Sequence, residues 1–321
     1  MSRNRRLEEQ ISQLLAQLKP RAKSLIVTIY GDAILPHGGS VWLGSLIRLV
    51  EPFGLAERIV RTAVFRLSKD EWLGATQLGR RSYYSLTEAG RHRFEAAHRR
   101  IYGPLRRAWD GEWTLVITTG CDGDEREPLR RELSWLGFGS IAPTVMAHPT
   151  PDTESVQQVL KDTRGGEKVV VMRAATDRVA SPATLRGLVR GCWDFDRLGS
   201  DYVGFLERFR PILRTLQADS DLDPEMCFAV RELLIHDYRR VLLRDPMLPE
   251  ELLPPDWVGA AARVLCRNLY RITQEPAERH LMTALETADG PLPEAAPFFY
   301  ARFGGLPETP FEERPQERVT G

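Results

Sequence analysis

The sequence predicts an α+β multidomain protein with an N-terminal winged helix-turn-helix, a central ferredoxin-like domain and a helical C-terminal domain. Three observations carry this reading. At 321 residues the chain exceeds one ordinary hydrophobic core, which suggests two or three domains. Its hydrophobic period changes along the chain, from helix-spaced segments with one hairpin, to alternating strands and helices, to long amphipathic helices. Its charge is divided: residues 1–110 contain 19 Lys and Arg against 10 Asp and Glu, and the remainder contains 25 against 34. A basic segment on an acidic body fits a polyanion-binding module attached to a carrier, although a merely basic solvated surface would give the same count. A hydrophobic content of 42% and a charged content of 27% are those of a globular protein.

Residues 1–20 read as a solvated helix or arm that Pro20 ends, because proline cannot continue a helix interior. The winged-helix reading covers 21–105. Its first helix is RAKSLIVTIYGDAI. In the second, Leu43, Leu46, Ile47 and Val50 share one face and Pro52 and Gly54 close it. In the third, Val60, Ala63, Val64 and Leu67 form the core face, with Arg58, Arg61, Thr62, Phe65 and Lys69 opposite. Two strand-like pieces then flank LGRRS, a hairpin with an arginine-rich tip. Three helices and a hairpin in this order put the third helix in the DNA major groove and the wing on the backbone or minor groove.

After a linker near 103–111, residues 112–176 read β-α-β-α-β, with SIAPTVMAHP as one broken strand, and the ferredoxin-like domain is placed at 112–180. A helical C-terminal domain follows at 190–290, then a Pro-, Gly- and Glu-rich tail at 291–321 that is expected to be loosely ordered. The longest early apolar run, Leu25 to Tyr30, is far below the roughly 18 residues that span a bilayer, and no secretory h-region follows the basic start. A cytoplasmic location without membrane contact is expected. Cys121, Cys192, Cys227 and Cys266 are scattered and read as reduced thiols.

The expected DNA-reading residues are Arg58, Arg61, Thr62, Phe65 and Arg66 on the third helix, and Arg80, Arg81, Ser82 and Tyr83 on the wing. Guanidinium groups bond guanine edges and phosphates, and acids flank the helical stripe without interrupting it. A solvated helix face and an incidentally charged hairpin tip are the competing explanations. Tyr83 and Tyr84 alternate in side, so one of them belongs to the core.

RAKSLIVTIYGD, ERIVRTAVFRLSKDEWL, GRRSYYSLTEAGRHRFEAAHRRIYG and, far downstream, LLIHDYRRVLLRDPMLPEELLPPDWVGAAA resemble the PaaX family of phenylacetate-catabolism transcriptional repressors, in order, from about residue 21 to about residue 285. The resemblance implies a winged helix, a central domain similar to Cas2, a helical C-terminal domain and a homodimer on double-stranded operator DNA. It also implies release from the operator by an aryl-acyl-CoA effector such as phenylacetyl-CoA. On this chain it centres DNA reading on Arg61 and Thr62, with Arg80 and Arg81 on the wing.

An acyl-CoA carries phosphates, for which arginines are natural partners. His236, Arg239, Arg240 and Arg244 on one amphipathic helix are candidates for them, and Trp193, Phe195 and Trp257 for the aryl group. Core aromatics and intramolecular ion pairs would account for the same residues. No catalytic, cofactor or metal site is expected, since the six histidines form no ligand pair and no phosphate loop or nucleophile elbow is present. The alternative is a metal-dependent nuclease on the Cas2-like domain, with Asp122 and Asp124 as carboxylates. Their competing role is a solvated turn at a helix N-terminus, where negative charge is favoured.

Overall fold

A computed structural model describes residues 3–103, 109–177, 182–218 and 221–307. The chain divides into two compact units: Met1–His98 with Arg214–Leu233 and Arg267–Gly321, and Arg99–Leu213 with Leu234–Cys266. Compactness therefore shares the C-terminal helices between the two units, where the sequence reading set them apart as a third domain at 190–290.

The chain opens with α1 (Arg3–Leu18), α2 (Ala22–Ile29) and a π-helical turn at Tyr30–Ile34. Then come β1 (Ser40–Trp42), α3 (Leu43–Leu49), α4 (Glu57–Lys69), β2 (Leu73–Leu78), β3 (Arg81–Leu86) and α5 (Glu88–Tyr102). The expectation of a solvated arm at 1–20 needs correction, because Leu7, Ile11 and Leu14 recur at helical spacing and are buried. Helix α4 packs its Val60, Ala63, Val64 and Leu67 face inward and contacts α2 and β2. The antiparallel sheet has the order β1-β3-β2, with Leu78 opposite Arg81 across a two-residue turn. Gly79 lies at φ +60 there, which the first position of a type II′ turn requires and glycine supplies without strain.

In the other unit the order is β4 (Glu112–Ile117), α6 (Gly123–Trp135), β5 (Gly139–Ala142), β6 (Val145–His148), α7 (Thr153–Asp162), β7 (Val170–Ala175) and α8 (Pro182–Cys192). The expected single broken strand is two strands, a hairpin with a register shift between Ser140 and Ala142. The pattern is thus β-α-β-β-α-β, with sheet order β5-β6-β4-β7 and every neighbour antiparallel, the ferredoxin-like arrangement. Strand alternation sends Val116 and Met146 to a core with Leu129, Leu133 and Val156 of α6 and α7. Trp113 and Ala147 face the opposite way, to a second core with Val189, Phe195, Leu248 and Leu252.

The helical part comprises α9 (Phe195–Gln217), α10 (Pro224–Leu242) and α11 (Gly259–Ala284), followed by the small hairpin β8 (Glu286–Thr287) and β9 (Gly290–Pro291) and by α12 (Pro297–Tyr300). The expected loose tail from 291 is corrected as far as 307: Leu292, Phe299, Phe303 and Leu306 are buried, while 308–321 lie outside the described residues. Arg302 is only 1% exposed and anchors this segment, donating through Nη1 to the Asp32 carbonyl at 3.0 Å and to Tyr270 Oη at 2.5 Å.

Asp32 belongs to a buried ionic cluster in the first unit. Arg231 Nε lies 3.1 Å from Asp32 Oδ2, and Arg231 Nη1 lies 2.5 Å from Glu278 Oε1. The other Glu278 oxygen meets His37 Nε2 at 2.9 Å. Burial opposes ionisation of Glu278, but Arg231 and His37 outweigh it and hold its carboxyl down at about 2. Burial and the neighbouring Asp32 push Glu232 the other way, well above the usual carboxylate range.

A candidate nucleic-acid interface and a candidate ligand cavity

Helix α4 exposes Arg58, Arg61, Thr62, Phe65, Arg66 and Lys69, the face expected from its spacing. The backbone of this helix is complete without them. Thr62 Oγ1 donates to the Arg58 carbonyl at 2.8 Å, and Lys69 Nζ sits 5.1 Å from the Phe65 ring centroid. Phe65 is 58% exposed, too much for a core aromatic. Arg61 is held along the helix by Glu57, with Nε and Nη2 at 2.8 and 2.7 Å from Oε1. An exposed i,i+4 pair of this kind is weak and yields readily to a phosphate or a guanine edge.

On the hairpin, Arg80 is exposed at the tip and Ser82 is half-buried. Tyr83 departs from the sequence expectation. It is 7% exposed, opposite Thr76 and Trp42 in the sheet, and serves the core, so it does not belong to a DNA-reading surface. Arg81 is also engaged. Its Nη1 donates to Glu286 Oε2 at 2.8 Å, and its guanidinium lies 4.2 Å from the Trp42 ring centroid. Hydrogen bonds to Tyr83 and Glu286 raise its pKa further. Arg48 joins the same group, 5.0 Å from the Trp42 ring and 3.4 Å from Glu286 Oε1. Trp42, Arg48 and Glu286 were not legible as partners, since the carboxylate is 205 residues from Arg81 and no pattern links them.

The seven residues expected to hold an effector do not form one site. Trp193, Phe195 and Trp257 do come together, lining a cavity of about 440 Å³ with Arg190, Asp194 and Asp196. Phe195 and Trp257 meet edge to face at 5.6 Å, and Tyr202 takes the same geometry with Trp257 at 5.6 Å. Trp193 Nε1 donates to the Gly137 carbonyl at 2.9 Å, whereas the buried Trp257 Nε1 has no acceptor among the described residues. The alternation of aromatics and acids in Trp193-Asp194-Phe195-Asp196 was the signal that would have found the polar members of this lining.

His236, Arg239, Arg240 and Arg244 are not part of this lining, and their grouping with the aromatics is corrected. His236 is 2% exposed, and burial, then Arg239 and Arg240, push its imidazole down to about 3. Burial also lowers Arg239, against the opposing effect of Tyr102. Arg240 pairs with Asp237 at 3.6 Å and Arg244 with Asp201 at 3.3 Å. The first is an i,i+3 pair within α10, and the second joins the residues after α10 to α9.

Asp122 is the N-cap of α6. Its Oδ1 accepts from the Glu125 backbone N–H at 3.0 Å, and Glu125 Oε2 accepts from the Asp122 N–H at 3.2 Å, a capping box. Glu125 is tied in turn to Lys168 Nζ at 2.6 Å. Asp122 and Glu125 are thus occupied with starting a helix, in whose first turn Asp124 is exposed. Among the described residues no helix is long and apolar enough to cross a membrane.

Comparison with known proteins matches three consecutive segments of this chain. Residues 21–90 match the family described as PaaX-like protein, 106–185 the PaaX protein central Cas2-like domain, and 193–283 the PaaX-like protein C-terminal domain. The transcriptional repressor PaaX of Escherichia coli is 41% identical over 284 residues, covering 88% of this chain and 90% of that one. A solved structure of an uncharacterized Mycobacterium tuberculosis protein is 26% identical and covers 73% of this chain and 88% of that one, with a TM-score of 0.45. With all three segments matched in order and a relative of this identity along most of its length, the chain belongs to the PaaX-like protein family.

Proposed function

We propose that this protein is a DNA-binding transcriptional repressor of a phenylacetate-type catabolic operon, not an enzyme, and that an aryl-acyl-CoA releases it from its operator. The single observation that carries the DNA-binding reading is the outer face of α4. Four cations, a threonine and an exposed phenylalanine lie on it with no packing role, beside a hairpin tip that carries Arg80. Residues 21–105 act as a winged helix, with α4 in the major groove and the β2–β3 hairpin along the backbone. The identity to a curated repressor supports the regulatory role. A homodimer, located in the cytoplasm, supplies the two reading heads that a partly palindromic operator needs.

The effector binds away from this surface. The cavity at Trp193, Phe195 and Trp257 offers aromatic walls and Arg190 for an anionic group, beside the carboxylates of Asp194, Asp196 and Asp256. An effector that releases DNA must prefer the DNA-incompetent state, with a coupling of about 1–3 kcal/mol in most such switches. Linkage then requires operator DNA to weaken thioester binding by the same factor. The test is calorimetric titration of phenylacetyl-CoA into the free protein and into its operator complex, with phenylacetate and coenzyme A as controls. Tighter binding to the free protein supports the mechanism. Equal affinities in the two titrations reject it, and so does release by either control.

A further inference from the structure

A second cavity adjoins the aromatic one, and its existence follows from the topology of the sheet. Both helices of a β-α-β-β-α-β domain cover one face, so the other face needs separate cover. Here that cover is α8 with the 248–253 segment, and among the described residues it leaves a gap. Between the sheet and α8 remains a chamber of about 340 Å³, within the usual range for small-molecule pockets. Trp113, Leu115, Ile141, Leu185 and Leu188 dominate its lining.

No charged side chain lines this chamber among the described residues. Its two hydroxyls are already engaged: Thr176 Oγ1 accepts from Trp113 Nε1 at 2.8 Å, and Thr184 has partners of its own. A polar ligand would lose its hydration here and gain nothing in return, so the occupant must be hydrocarbon. Trp193 borders both cavities. It is a built wall, since its Nε1 is bonded to Gly137 and a Cβ on Gly139 would stand 2.6 Å from its ring. On one side of that indole lie Arg190 and the aspartates Asp194, Asp196 and Asp256, and on the other side lie apolar side chains with two engaged threonine hydroxyls.

We infer that the chamber between the sheet and α8 is the specificity pocket for the hydrocarbon end of an amphiphilic small ligand, whose polar part occupies the cavity on the other side of Trp193. This rests on the proposed effector reading for the identity of the polar part, and on the chamber itself for the hydrocarbon part. The volume of about 340 Å³ favours a ring or short branched chain over a long acyl tail.

The test uses the full chain with three probes: phenylacetyl-CoA, coenzyme A, and ethylbenzene, which has no polar group. Ala174→Phe fills the chamber from the half-exposed face of β7, and Leu188→Trp narrows it from α8, with circular dichroism and melting establishing that each variant folds. Wild type is expected to bind ethylbenzene and phenylacetyl-CoA. At least one folded variant is expected to lose ethylbenzene and to weaken phenylacetyl-CoA by about tenfold or more, the scale on which apolar pockets discriminate by size, while coenzyme A binds unchanged. If both folded variants bind the thioester as wild type does, the inference falls while the effector reading stands. If wild type binds ethylbenzene, and the variants do not, but no thioester binds, the chamber stands and the effector reading falls. Failure of wild type to bind ethylbenzene overturns the inference, as does a change in oligomeric state in the variants without a change in ligand affinity.

Discussion

Arg81, on the second strand of the hairpin, donates through Nη1 to Glu286 Oε2 at 2.8 Å, while its guanidinium lies over the Trp42 ring. A wing arginine expected to grip phosphate is thus clipped by a carboxylate from the segment just after α11. Any phosphate that engages Arg81 must first displace Glu286. Glu286→Gln is therefore expected to tighten operator binding, because it removes the competing charge from Arg81 and Arg48 together. Exposed ion pairs are weak, so the gain should be modest, about two- to fivefold. Mobility-shift titrations of wild type and variant across several salt concentrations measure it. Unchanged or weaker binding would mean that Arg81 plays no part in DNA contact.

Arg61 and Arg80 are expected to divide the work differently. Arg61 projects from the middle of α4, which on the proposed winged-helix docking would face base edges, whereas Arg80 stands at the hairpin tip, which on that docking would face the backbone. Arg61→Ala is expected to lower operator affinity and flatten the preference for operator over scrambled sequence, by about 1–3 kcal/mol if the contact is bidentate. Arg80→Ala should weaken both duplexes alike and reduce the salt slope by about one. Both side chains are exposed, so stability should change by no more than about 0.5 kcal/mol. Wild-type binding by both variants at matched salt would remove this reading surface.

What could be read in advance follows from how local the physics is. The α4 face was legible because its core positions and its cations repeat with the helical period, and burial bears that spacing out at Val60, Ala63, Val64 and Leu67. The Gly79 turn was legible because few residues tolerate its φ. The β5–β6 hairpin was missed because the stretch from Ser140 to Val145 turns within a proline-threonine pair and carries a register shift, which reads as a single interrupted strand. The packed segment 292–306 was missed because its Pro and Gly content resembles a tail, while its anchor is one arginine that reaches Asp32, 270 residues away. Charge alone could not distinguish Arg244 from a phosphate site, since Asp201 comes beside it only in the fold, whereas the Asp237–Arg240 pair has the i,i+3 spacing of one helix.

Arg231 is fully buried between Asp32 and Glu278, and removing it would leave Asp32 with Arg302 and Glu278 with His37 as their remaining partners. Breaking a buried ion pair from one side costs on the order of 3–5 kcal/mol, far more than the pair contributes over an apolar replacement. Arg231→Met should therefore lower the denaturant midpoint sharply, and Arg231→Lys should recover only part of it, because a lysine cannot bridge both carboxylates with planar geometry. Glu232→Gln is the control. Its carboxyl is pushed toward the neutral form already, first by burial and then by Asp32, so the amide should be tolerated far better. Equal losses in Arg231→Met and Glu232→Gln would show that packing volume, and not charge, governs this core.

His148 sets an acid limit on the stability of the ferredoxin-like unit. Its Nε2 donates to the Pro246 carbonyl at 2.9 Å and its Nδ1 accepts from the Thr150 N–H at 3.0 Å, a pattern that only the neutral ring satisfies. Burial first, and Arg100 in addition, push its pKa down to about 4 against the opposing bond to Pro246. The unfolded chain titrates at about 6.5, so between those values it binds the extra proton. Stability is thus unaffected by this group above about pH 6.5, falls as the pH drops through the window, and levels off below about 4. At pH 5 the loss should be on the order of 2 kcal/mol, since stability falls by about 1.4 kcal/mol for each pH step inside the window. His236, held at about 3 by the same cause, adds a parallel loss. His148→Gln keeps a donor for Pro246 but cannot titrate, so the variant should start weaker at pH 7 and lose about half as much on acidification to pH 5. Denaturant unfolding of both proteins at the two pH values measures the difference, and identical losses would show that the imidazole is already protonated in the fold.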